Sequence, residues 1–382
     1  MHMGDVVPRP VLVRYATVIL PGVACAACGS TDQSPPADSG GPDQSVLDAT
    51  ADSSTGVDGS LVDSGSVDSG VPLDAPDAAP CNRADIPDGA CVVTLAAGQS
   101  APAGLAIDSL YVYWTSAQPD GGVLRVPIGG GAITTLASGQ AAPLSLAVDS
   151  TSVYWANSAG ATVMKAPLDG GPATLVMATS ASPQYLAIDA TSVYVTTSDG
   201  HVLSAPIDGV TDGGAPVVLA SGQQQPGPLV LDDAGVYWTN YAGSSSVVVA
   251  PKAGVPEGGA PIVLAENENQ PYAIALDATH VYWVAVGSES VRVAPKTGVP
   301  EGGSPTILAM IQGTPGGLAV DSASVTFTLN VGAGGVLAVP LDGGSPVTLV
   351  SGQGYPNAVA VDATHVFWTD YAENGSVMQV AR

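Results

Sequence analysis

The chain has 382 residues, with 34 acidic against 9 basic side chains and a formal net charge of −25. Residues 92–382 hold 21 of the acids and six of the bases, a net charge of −15. So acidic a surface repels phosphate backbones and anionic lipids. We therefore expect no nucleic-acid partner, and contact with a membrane only through a lipid anchor.

Residues 1–28 have the pattern of a signal peptide. A short basic region precedes an apolar stretch at residues 15–25, which is too short to span a bilayer. Small residues lead into Cys25 and again into Cys28. A cysteine at the cleavage site is typical of bacterial lipoproteins, so we predict lipidation of Cys28, or of Cys25. Plain secretion is the alternative. Either way the protein is exported, to the bacterial cell envelope or the extracellular space.

A linker follows at residues 29–80. It contains ten aspartates and no lysine, arginine or aromatic residue, and most of the rest is Ser, Gly, Pro and Ala. Such a composition cannot bury enough apolar area to offset the entropy lost on ordering. We predict a disordered acidic spacer that holds the next domain away from a membrane surface.

Residues 81–91 form a junction loop that begins at Cys81 and ends at Cys91. In an exported protein, two cysteines ten residues apart are most simply a disulfide that closes a small loop. A metal site is the alternative, but further cysteines and nearby histidines are missing. We predict the disulfide.

Residues 92–382 contain a seven-fold repeat. Seven aspartates recur 40 to 45 residues apart, each with a proline six residues before it and a valine four residues after it. A period of this length, held seven times, indicates a repeat architecture. The aspartates are Asp108, Asp149, Asp189, Asp232, Asp277, Asp321 and Asp362.

Each repeat contains four short strand patterns separated by turns rich in Gly, Asp, Asn and Pro. In the second repeat they lie at residues 146–149, 152–155, 162–166 and 173–176. Four strands at this period predict one blade of a β-propeller, with a solenoid as the alternative. Helices are not expected, because glycine and proline interrupt every window.

The ends of the repeat region predict a closed ring. The last repeat lacks its fourth strand, while the unassigned segment 92–99 matches the fourth-strand segment 346–353. Pairing of the N-terminal strand into the last blade would remove the exposed sheet edges that an open array must cap. We predict an all-β fold: a seven-bladed propeller of four-stranded blades at residues 92–382.

Two repeats carry a family resemblance. Residues 277–283 read Asp-Ala-Thr-His-Val-Tyr-Trp, and residues 361–370 end in Phe-Trp-Thr-Asp. These resemble the YWTD repeats of low-density-lipoprotein-receptor class B propellers and, more loosely, NHL and related bacterial propellers. The resemblance implies the fold. It does not extend to receptor-type ligands, because YWTD propellers have six blades and the Trp-Thr-Asp ending is complete only at residues 368–370.

The repeated residues are predicted to be structural. An aspartate at the same place in every blade is expected to accept backbone N–H bonds in the turn after the innermost strand. Tyr-Trp pairs on the second strands are expected to pack between blades. His201, His280 and His365 lie on separate blades, so we predict no metal site and no cofactor.

The mouth of the central channel is the predicted binding face. The two positions after each repeated proline are uncharged in all seven repeats, although a propeller enzyme needs acid–base or metal-binding groups there. Tyrosine and amide side chains on this face suit a neutral ligand. The candidate binding residues are Gln184, Tyr185, Tyr241, Tyr272, Tyr355, Asn357 and Tyr371.

These observations predict a secreted or surface-tethered, monomeric binding or scaffold module for a protein or a neutral glycan, without catalysis. The alternative is a propeller enzyme, such as a lyase, lactonase or other hydrolase, with its site at the channel mouth.

Overall fold

A computed structural model describes residues 14–15, 91–210, 214–243, 245–256, 259–300 and 303–382. The rest of the predicted signal segment 1–28, with Cys25 and Cys28, lies outside these residues. So do the linker 29–80 and Cys81, and with Cys81 the predicted disulfide. In the described part, no helix is long and apolar enough to cross a bilayer.

The first three blades each consist of four strands in chain order, innermost first. Blade 1 contains β3 (Pro102–Ile107), β4 (Tyr111–Ser116), β5 (Gly121–Pro127) and β6 (Thr134–Gln140). Blade 2 contains β7 (Pro143–Val148), β8 (Ser152–Asn157), β9 (Thr162–Pro167) and β10 (Thr174–Ala178). Blade 3 contains β11 (Pro183–Ile188), β12 (Ser192–Thr197), β13 (Val202–Pro206) and β14 (Val217–Ala220).

The next three blades repeat this order. Blade 4 contains β15 (Pro226–Leu231), β16 (Val236–Asn240), β17 (Ser246–Ala250) and β18 (Ile262–Ala265). Blade 5 contains β19 (Pro271–Leu276), β20 (His280–Ala285), β21 (Ser290–Pro295) and β22 (Thr306–Met310), with a 3-10 turn at Val286–Ser288. Blade 6 contains β23 (Pro315–Val320), β24 (Ser324–Leu329), β25 (Gly334–Pro340) and β26 (Val347–Gln353).

The seventh blade is built from both ends of the repeat region. It contains β27 (Pro356–Val361), β28 (His365–Asp370) and β29 (Gly375–Ala381), and its outermost strand is β2 (Val92–Gln99). β2 pairs antiparallel with β29 from Val92↔Val380 to Gln99↔Gly375. The innermost strands contact one another in sequence around the ring, and β27 contacts β3. The predicted seven-bladed ring and its closure are thus confirmed. A further two-residue strand, β1 (Arg14–Tyr15), pairs with β3.

The innermost strands begin earlier than the sequence pattern suggests: in blade 2 the first strand begins at residue 143 and not at residue 146. Each starts at the repeated proline, so the two positions after it lie in a strand and not in a loop. The register between the first two strands of every blade shifts near this proline, as between Pro143 and Leu146 in blade 2. The bulge accommodates a proline that cannot donate to the ladder.

The Trp and Tyr side chains of the second strands fill the space between blades. All five tryptophans are fully buried. Tyr113 of blade 1 and Trp155 of blade 2 share one apolar cluster with Val123 and Val153. Because the two faces of each blade are covered by its two neighbours, these rings are core residues.

A threonine at the end of the second strand links neighbouring innermost strands. Thr115 Oγ1 accepts the N–H of Gly104 in its own blade and donates to the carbonyl of Leu144 in blade 2. The same donation to the next blade is made by Thr196, Thr239, Thr328 and Thr369. These bonds hold the innermost strands in fixed register at the channel mouth.

Removal of β2 tests the closure. A chain that begins at residue 100 loses the outermost strand of blade 7 and the buried side chains of Leu95 and Ala96. We expect it to lose at least about 3 kcal/mol of stability, since removing one buried leucine side chain costs about 2–5 kcal/mol. It should also self-associate through the edge of β29. Urea unfolding and light scattering measure both effects.

A chain that begins at residue 91 is the matched control for this truncation. It should unfold at the same urea concentration as the full chain. Equal stability of the two truncated chains would contradict the closure.

Candidate functional site

Three of the predicted binding tyrosines meet at the channel mouth. Tyr185 lies on β11 of blade 3, Tyr272 on β19 of blade 5, and Tyr241 follows β16 of blade 4. The hydroxyls of Tyr185 and Tyr272 are hydrogen-bonded, and their rings meet edge to face at a centroid distance of 6.1 Å. Tyr241 packs against Tyr272 in the same way, also at 6.1 Å. We call these three residues the tyrosine cluster.

The tyrosine cluster joins blades that are not neighbours. Blade 4 lies between blades 3 and 5, so the bond between Tyr185 and Tyr272 reaches across its innermost strand. The backbone carbonyl of Tyr272 is held by Thr239 of blade 4 at 2.9 Å. Sequence spacing did not predict this contact, because residues 87 positions apart in different blades share no local pattern.

The tyrosine cluster is electrically neutral. Burial raises the pKa of Tyr185 to about 12, despite the opposing effect of the hydrogen bond with Tyr272. A phenol of that pKa is neither a base nor a nucleophile at neutral pH. It can donate and accept hydrogen bonds and present a ring face, which is chemistry suited to recognition of a neutral ligand.

Two further predicted tyrosines lie on the blade 7 side of the mouth. Tyr355 precedes β27 with a left-handed φ of 58°, and its side chain is exposed. Its carbonyl accepts the N–H of Tyr371, which follows β28. Tyr371 is half-buried, and burial raises its pKa.

The two predicted amide residues differ in accessibility. Gln184, next to Tyr185, is half-buried. Asn357 is fully buried; its Oδ1 accepts a 3.4 Å bond from Asn330, and its carbonyl accepts one from Thr328. The structure therefore places Asn357 beneath the mouth, where it supports the strand ends of blades 6 and 7.

The repeated aspartates have a common set of partners on the opposite face. Asp108 Oδ1 accepts the N–H groups of Leu110 and Tyr111, and its Oδ2 accepts the hydroxyl of Tyr113. Tyr154, Tyr194, Tyr237 and Tyr282 make the same hydroxyl bond in blades 2 to 5. In blades 6 and 7, Thr326 and Phe367 stand at the tyrosine position.

Some of these aspartates also link blades through cations. Lys252 of blade 4 contacts Asp189 of blade 3 at 2.9 Å, Lys296 of blade 5 contacts Asp232 at 2.6 Å, and Arg382 contacts Asp321. Burial acts to raise the pKa of Asp189, but the bonds from Lys252 and Thr191 outweigh it and lower the value to about 2. The aspartate remains ionised and fully engaged within the protein.

Each repeated glutamine belongs to a separate polar cluster near the outer rim of the mouth face. Gln140 Oε1 accepts 3.0 Å bonds from Trp155 Nε1 and Asn157 Nδ2. Gln99, Gln223 and Gln353 accept in the same way the indole N–H of the blade that follows them along the chain. We call the glutamine, the indole and the residue two places after the tryptophan the rim cluster of a blade.

Blade 5 replaces the rim glutamine by a buried ion pair. Glu268 is 1% exposed, and its Oε2 accepts bonds from Trp283 Nε1 and Arg292 Nη1, both at 3.1 Å. Burial raises the pKa of Glu268, and the Arg292 guanidinium opposes that rise. Sequence analysis missed this pair; the signal was a glutamate at a position that is glutamine in five other blades.

Blade 7 places a carboxyl group where blades 2 and 4 have asparagine. Asp370 is 9% exposed, and Ser376 donates to its Oδ2 at 3.2 Å, while its Oδ1 has no hydrogen-bond partner in the described part of the chain. Burial raises the pKa of Asp370 to about 6, against the opposing bonds from Ser376 and Trp368. The protonated acid is the form that could donate a bond as asparagine does.

Blade 3 contains the remaining titratable pair of this face. His201 Nδ1 lies 3.0 Å from Asp199 Oδ1. Burial acts to raise the pKa of Asp199, but bonds from Thr197, His201 and Ser180 lower it to about 2. The Ser180 hydroxyl donates to the aspartate at 3.0 Å, so this arrangement does not activate it as a nucleophile.

Residues that could hold a metal are not brought together in the described ranges. Within them, no group of three or more His, Cys, Asp and Glu side chains is arranged to bind an ion. His280 and His365 each bond the threonine before them in the turn of their own blade.

Comparison with known proteins shows the fold and no more. No protein-family model and no curated protein matches the sequence. A puromycin-hydrolysing peptidase of Mycobacterium tuberculosis is 14% identical over 75% of this chain and 52% of its own, with a TM-score of 0.54. The computationally designed Ika8 protein is 18% identical over 72% of this chain and 83% of its own, with a TM-score of 0.53.

A nidogen/laminin complex is 21% identical over 61% of this chain and 88% of its own, with a TM-score of 0.47. The two structures with TM-scores above 0.5 share an architecture with this chain, and at these identities their activities do not transfer.

Removal of Arg292 tests the buried pair of blade 5. Arg292→Val should cost about 3–5 kcal/mol, because it leaves the Glu268 carboxylate buried without its cation. Adding Glu268→Gln should recover most of this loss, since Gln and Val are the residues of blade 4 at these positions, Gln223 and Val248. Urea unfolding of both variants measures the difference.

The matched control is Lys165→Val, which removes the pair with the exposed Asp208. It should change stability by less than about 1 kcal/mol. If Arg292→Val with Glu268→Gln were no more stable than Arg292→Val alone, the buried ion pair of Glu268 and Arg292 would be contradicted.

Asp370→Asn tests the protonation state at blade 7. A pKa raised to about 6 from the ordinary 3.8 means that the folded state holds this proton more tightly than the unfolded state. The protonated Asp370 therefore adds to the free energy of unfolding. This contribution is full below about pH 4 and is lost as the pH rises through 6. The asparagine variant should therefore exceed the parent by about 1–3 kcal/mol at pH 7 and match it near pH 4.

The difference in unfolding free energy between variant and parent, followed in urea from pH 4 to 8, checks this prediction. Asp342→Asn, at an exposed carboxyl group, is the control for the chemical change from aspartate to asparagine. A flat difference for Asp370→Asn would show that this carboxyl group is ionised throughout.

Proposed function

We propose that the propeller is a monomeric binding module whose mouth face takes a protein or a neutral glycan. The observation that carries the proposal is the tyrosine cluster, in which three neutral aromatic side chains from blades 3, 4 and 5 meet at a mouth where the two positions after each repeated proline are uncharged. Rigid aromatic residues supply contact area with little loss of conformational entropy, and their hydroxyls supply directional bonds.

The charged groups of this face support binding over catalysis. Glu268 is bonded to Trp283 and Arg292, and Asp199 accepts bonds from Thr197 and Ser180. Glu268 is buried, and the exposed Asp199 is held ionised by its hydrogen bonds, so neither is arranged to exchange a proton with a substrate. A propeller enzyme, the alternative, would need such a group exposed beside the channel.

The proposal includes the location of the protein. The acidic spacer at residues 29–80, behind a lipidated Cys28 or Cys25, would hold the mouth face at a distance from an envelope surface. The net charge of −15 on residues 92–382 disfavours anionic partners and is compatible with neutral or weakly cationic ones.

Affinity capture with mouth variants tests the binding face. The immobilised chain should retain a protein from envelope extract, or a member of a neutral-glycan panel, in a saturable manner. Tyr241→Ala combined with Tyr355→Ala should weaken retention at least tenfold, because truncating central aromatic anchors typically costs about 2 kcal/mol or more. Tyr185→Phe, which keeps the buried ring, reports on the hydroxyl alone.

Tyr111→Ala, at the start of β4 on the opposite face, is the control and should bind as the parent does. Retention that is unchanged in the mouth variants would place the binding face elsewhere. Turnover of a captured substrate would favour the enzyme reading.

A further inference from the structure

Two clefts occur at equivalent positions of blades 1 and 4. The first has a volume of about 290 Å³ and is lined by Gln99, Ser116, Leu124 and Thr135, among others. The second has a volume of about 210 Å³ and is lined by Gln223, Asn240, Val248 and Val263, among others. We call them cleft 1 and cleft 4.

The strand pairing shows that the two clefts are the same feature repeated. Leu124 pairs with Trp114 and with Thr135. Val248 pairs with Trp238 and with Val263 in the same two registers. Each cleft thus lies over the rim cluster of its blade, between the second, third and fourth strands.

The two clefts share a neutral polar lining over an apolar floor. Both offer a glutamine carboxamide and a hydroxyl, from Ser116 in cleft 1 and Ser246 in cleft 4, above Leu124 or Val248. Neither is lined by Lys, Arg or His. An acidic residue, Asp120, lines only cleft 1, so a ligand common to both is uncharged.

Blade 5 shows what fills this space elsewhere. Arg292 stands at the Leu124 position, since it pairs with Trp283 and Ile307. Its guanidinium bonds Glu268, at the glutamine position, and Ser290, at the Ser246 position. A side chain from the floor can therefore reach the polar wall, and the shorter Leu124 and Val248 leave that space open.

Hydrogen-bonding capacity remains at the clefts. Gln99 Nε2 donates one bond, to the Ala97 carbonyl, and carries a second hydrogen. Asn240 Oδ1 is buried without a hydrogen-bond partner among the described residues, which is costly for an acceptor.

We propose that clefts 1 and 4 bind a neutral hexose-sized sugar. Amide and hydroxyl groups match sugar hydroxyls, and the apolar floor matches the C–H face of the ring. The volumes lie at or below the roughly 300–1,000 Å³ of pockets for drug-sized ligands, as a single sugar ring requires. Two such sites on one rigid ring favour a polymer of the sugar through avidity. This inference does not rest on the tyrosine cluster.

The test uses free glucose, galactose, mannose and N-acetylglucosamine as probes, with galacturonic acid and glucosamine as charged controls. Saturation-transfer NMR should detect at least one neutral sugar, with a Kd on the order of 1 mM. A polymer of that sugar should bind at least about tenfold more tightly than the free sugar.

Substitutions on the exposed outer strands separate the two clefts. Thr135→Arg and Val263→Arg place a long side chain over cleft 1 and cleft 4; Val263 is 52% exposed, so folding should tolerate the change. Either variant should lose the polymer advantage, and the double variant should lose sugar binding at least tenfold. Thr134→Arg and Ile262→Arg, on the same strands but the opposite face, are the controls and should bind normally.

A second design fills cleft 1 from within. Gln99→Glu with Leu124→Arg copies the blade 5 pair and should likewise remove one site, with folding verified by thermal unfolding. Absence of binding by all four neutral sugars would overturn the proposal. Equal binding of the charged sugars, or binding unaffected by the double variant, would do the same.

The mouth variant keeps this inference separate from the proposed function. Tyr241→Ala with Tyr355→Ala should retain the sugar in clefts 1 and 4. Loss of the sugar in that variant would instead place it at the mouth and overturn the cleft assignment.

Discussion

Each blade of this propeller has two apolar faces, and only a closed ring covers both faces of all seven. The β2–β29 pairing is the contact that meets this constraint, because it completes the seventh blade with a strand from the other end of the repeat region. Without it the edge of β29 would be open. The threonine bonds between innermost strands depend on the same closure: Thr369 of blade 7 donates to Ala103 of blade 1. The positions of the mouth residues follow from these bonds.

The repeat satisfies its polar groups internally. A turn aspartate takes two backbone N–H groups and a tyrosine hydroxyl, and a rim glutamine takes an indole N–H and returns a bond to the backbone. The aspartate has no capacity left for a substrate, whereas the glutamine keeps one amide hydrogen. Functional chemistry is therefore to be sought where the repeat is broken or left unfilled: at the tyrosine cluster, which no other blade copies, and at the clefts, which blade 5 closes with Arg292.

The fold and its closure could be predicted from the sequence because both follow from a pattern along the chain: a constant period, turn residues and a missing fourth strand. The tyrosines of the mouth could be named for the same reason, as non-repeating residues at a known blade position. Their mutual contact could not, since Tyr185 and Tyr272 meet only when blades 3 and 5 are in place. Asn357 was expected to line the channel mouth and is buried. The innermost strand β27 begins at Pro356, so the next residue, Asn357, lies within the strand.

The Glu268–Arg292 pair and the burial of Asp370 were not predicted, for a different physical reason. Their chemistry depends on burial, and burial of a rim residue is set by the side chains of the third strand, which vary between blades. Arg292 covers Glu268 in blade 5, while Leu124 and Val248 leave the corresponding glutamines beside open clefts. The residue paired with the tryptophan on the third strand thus decides whether a rim cluster is covered by an ion pair, as in blade 5, or is accessible and neutral, as in blades 1 and 4. A surface of net charge −15 repels anionic ligands, whereas an uncharged ligand enters the accessible neutral sites without such repulsion.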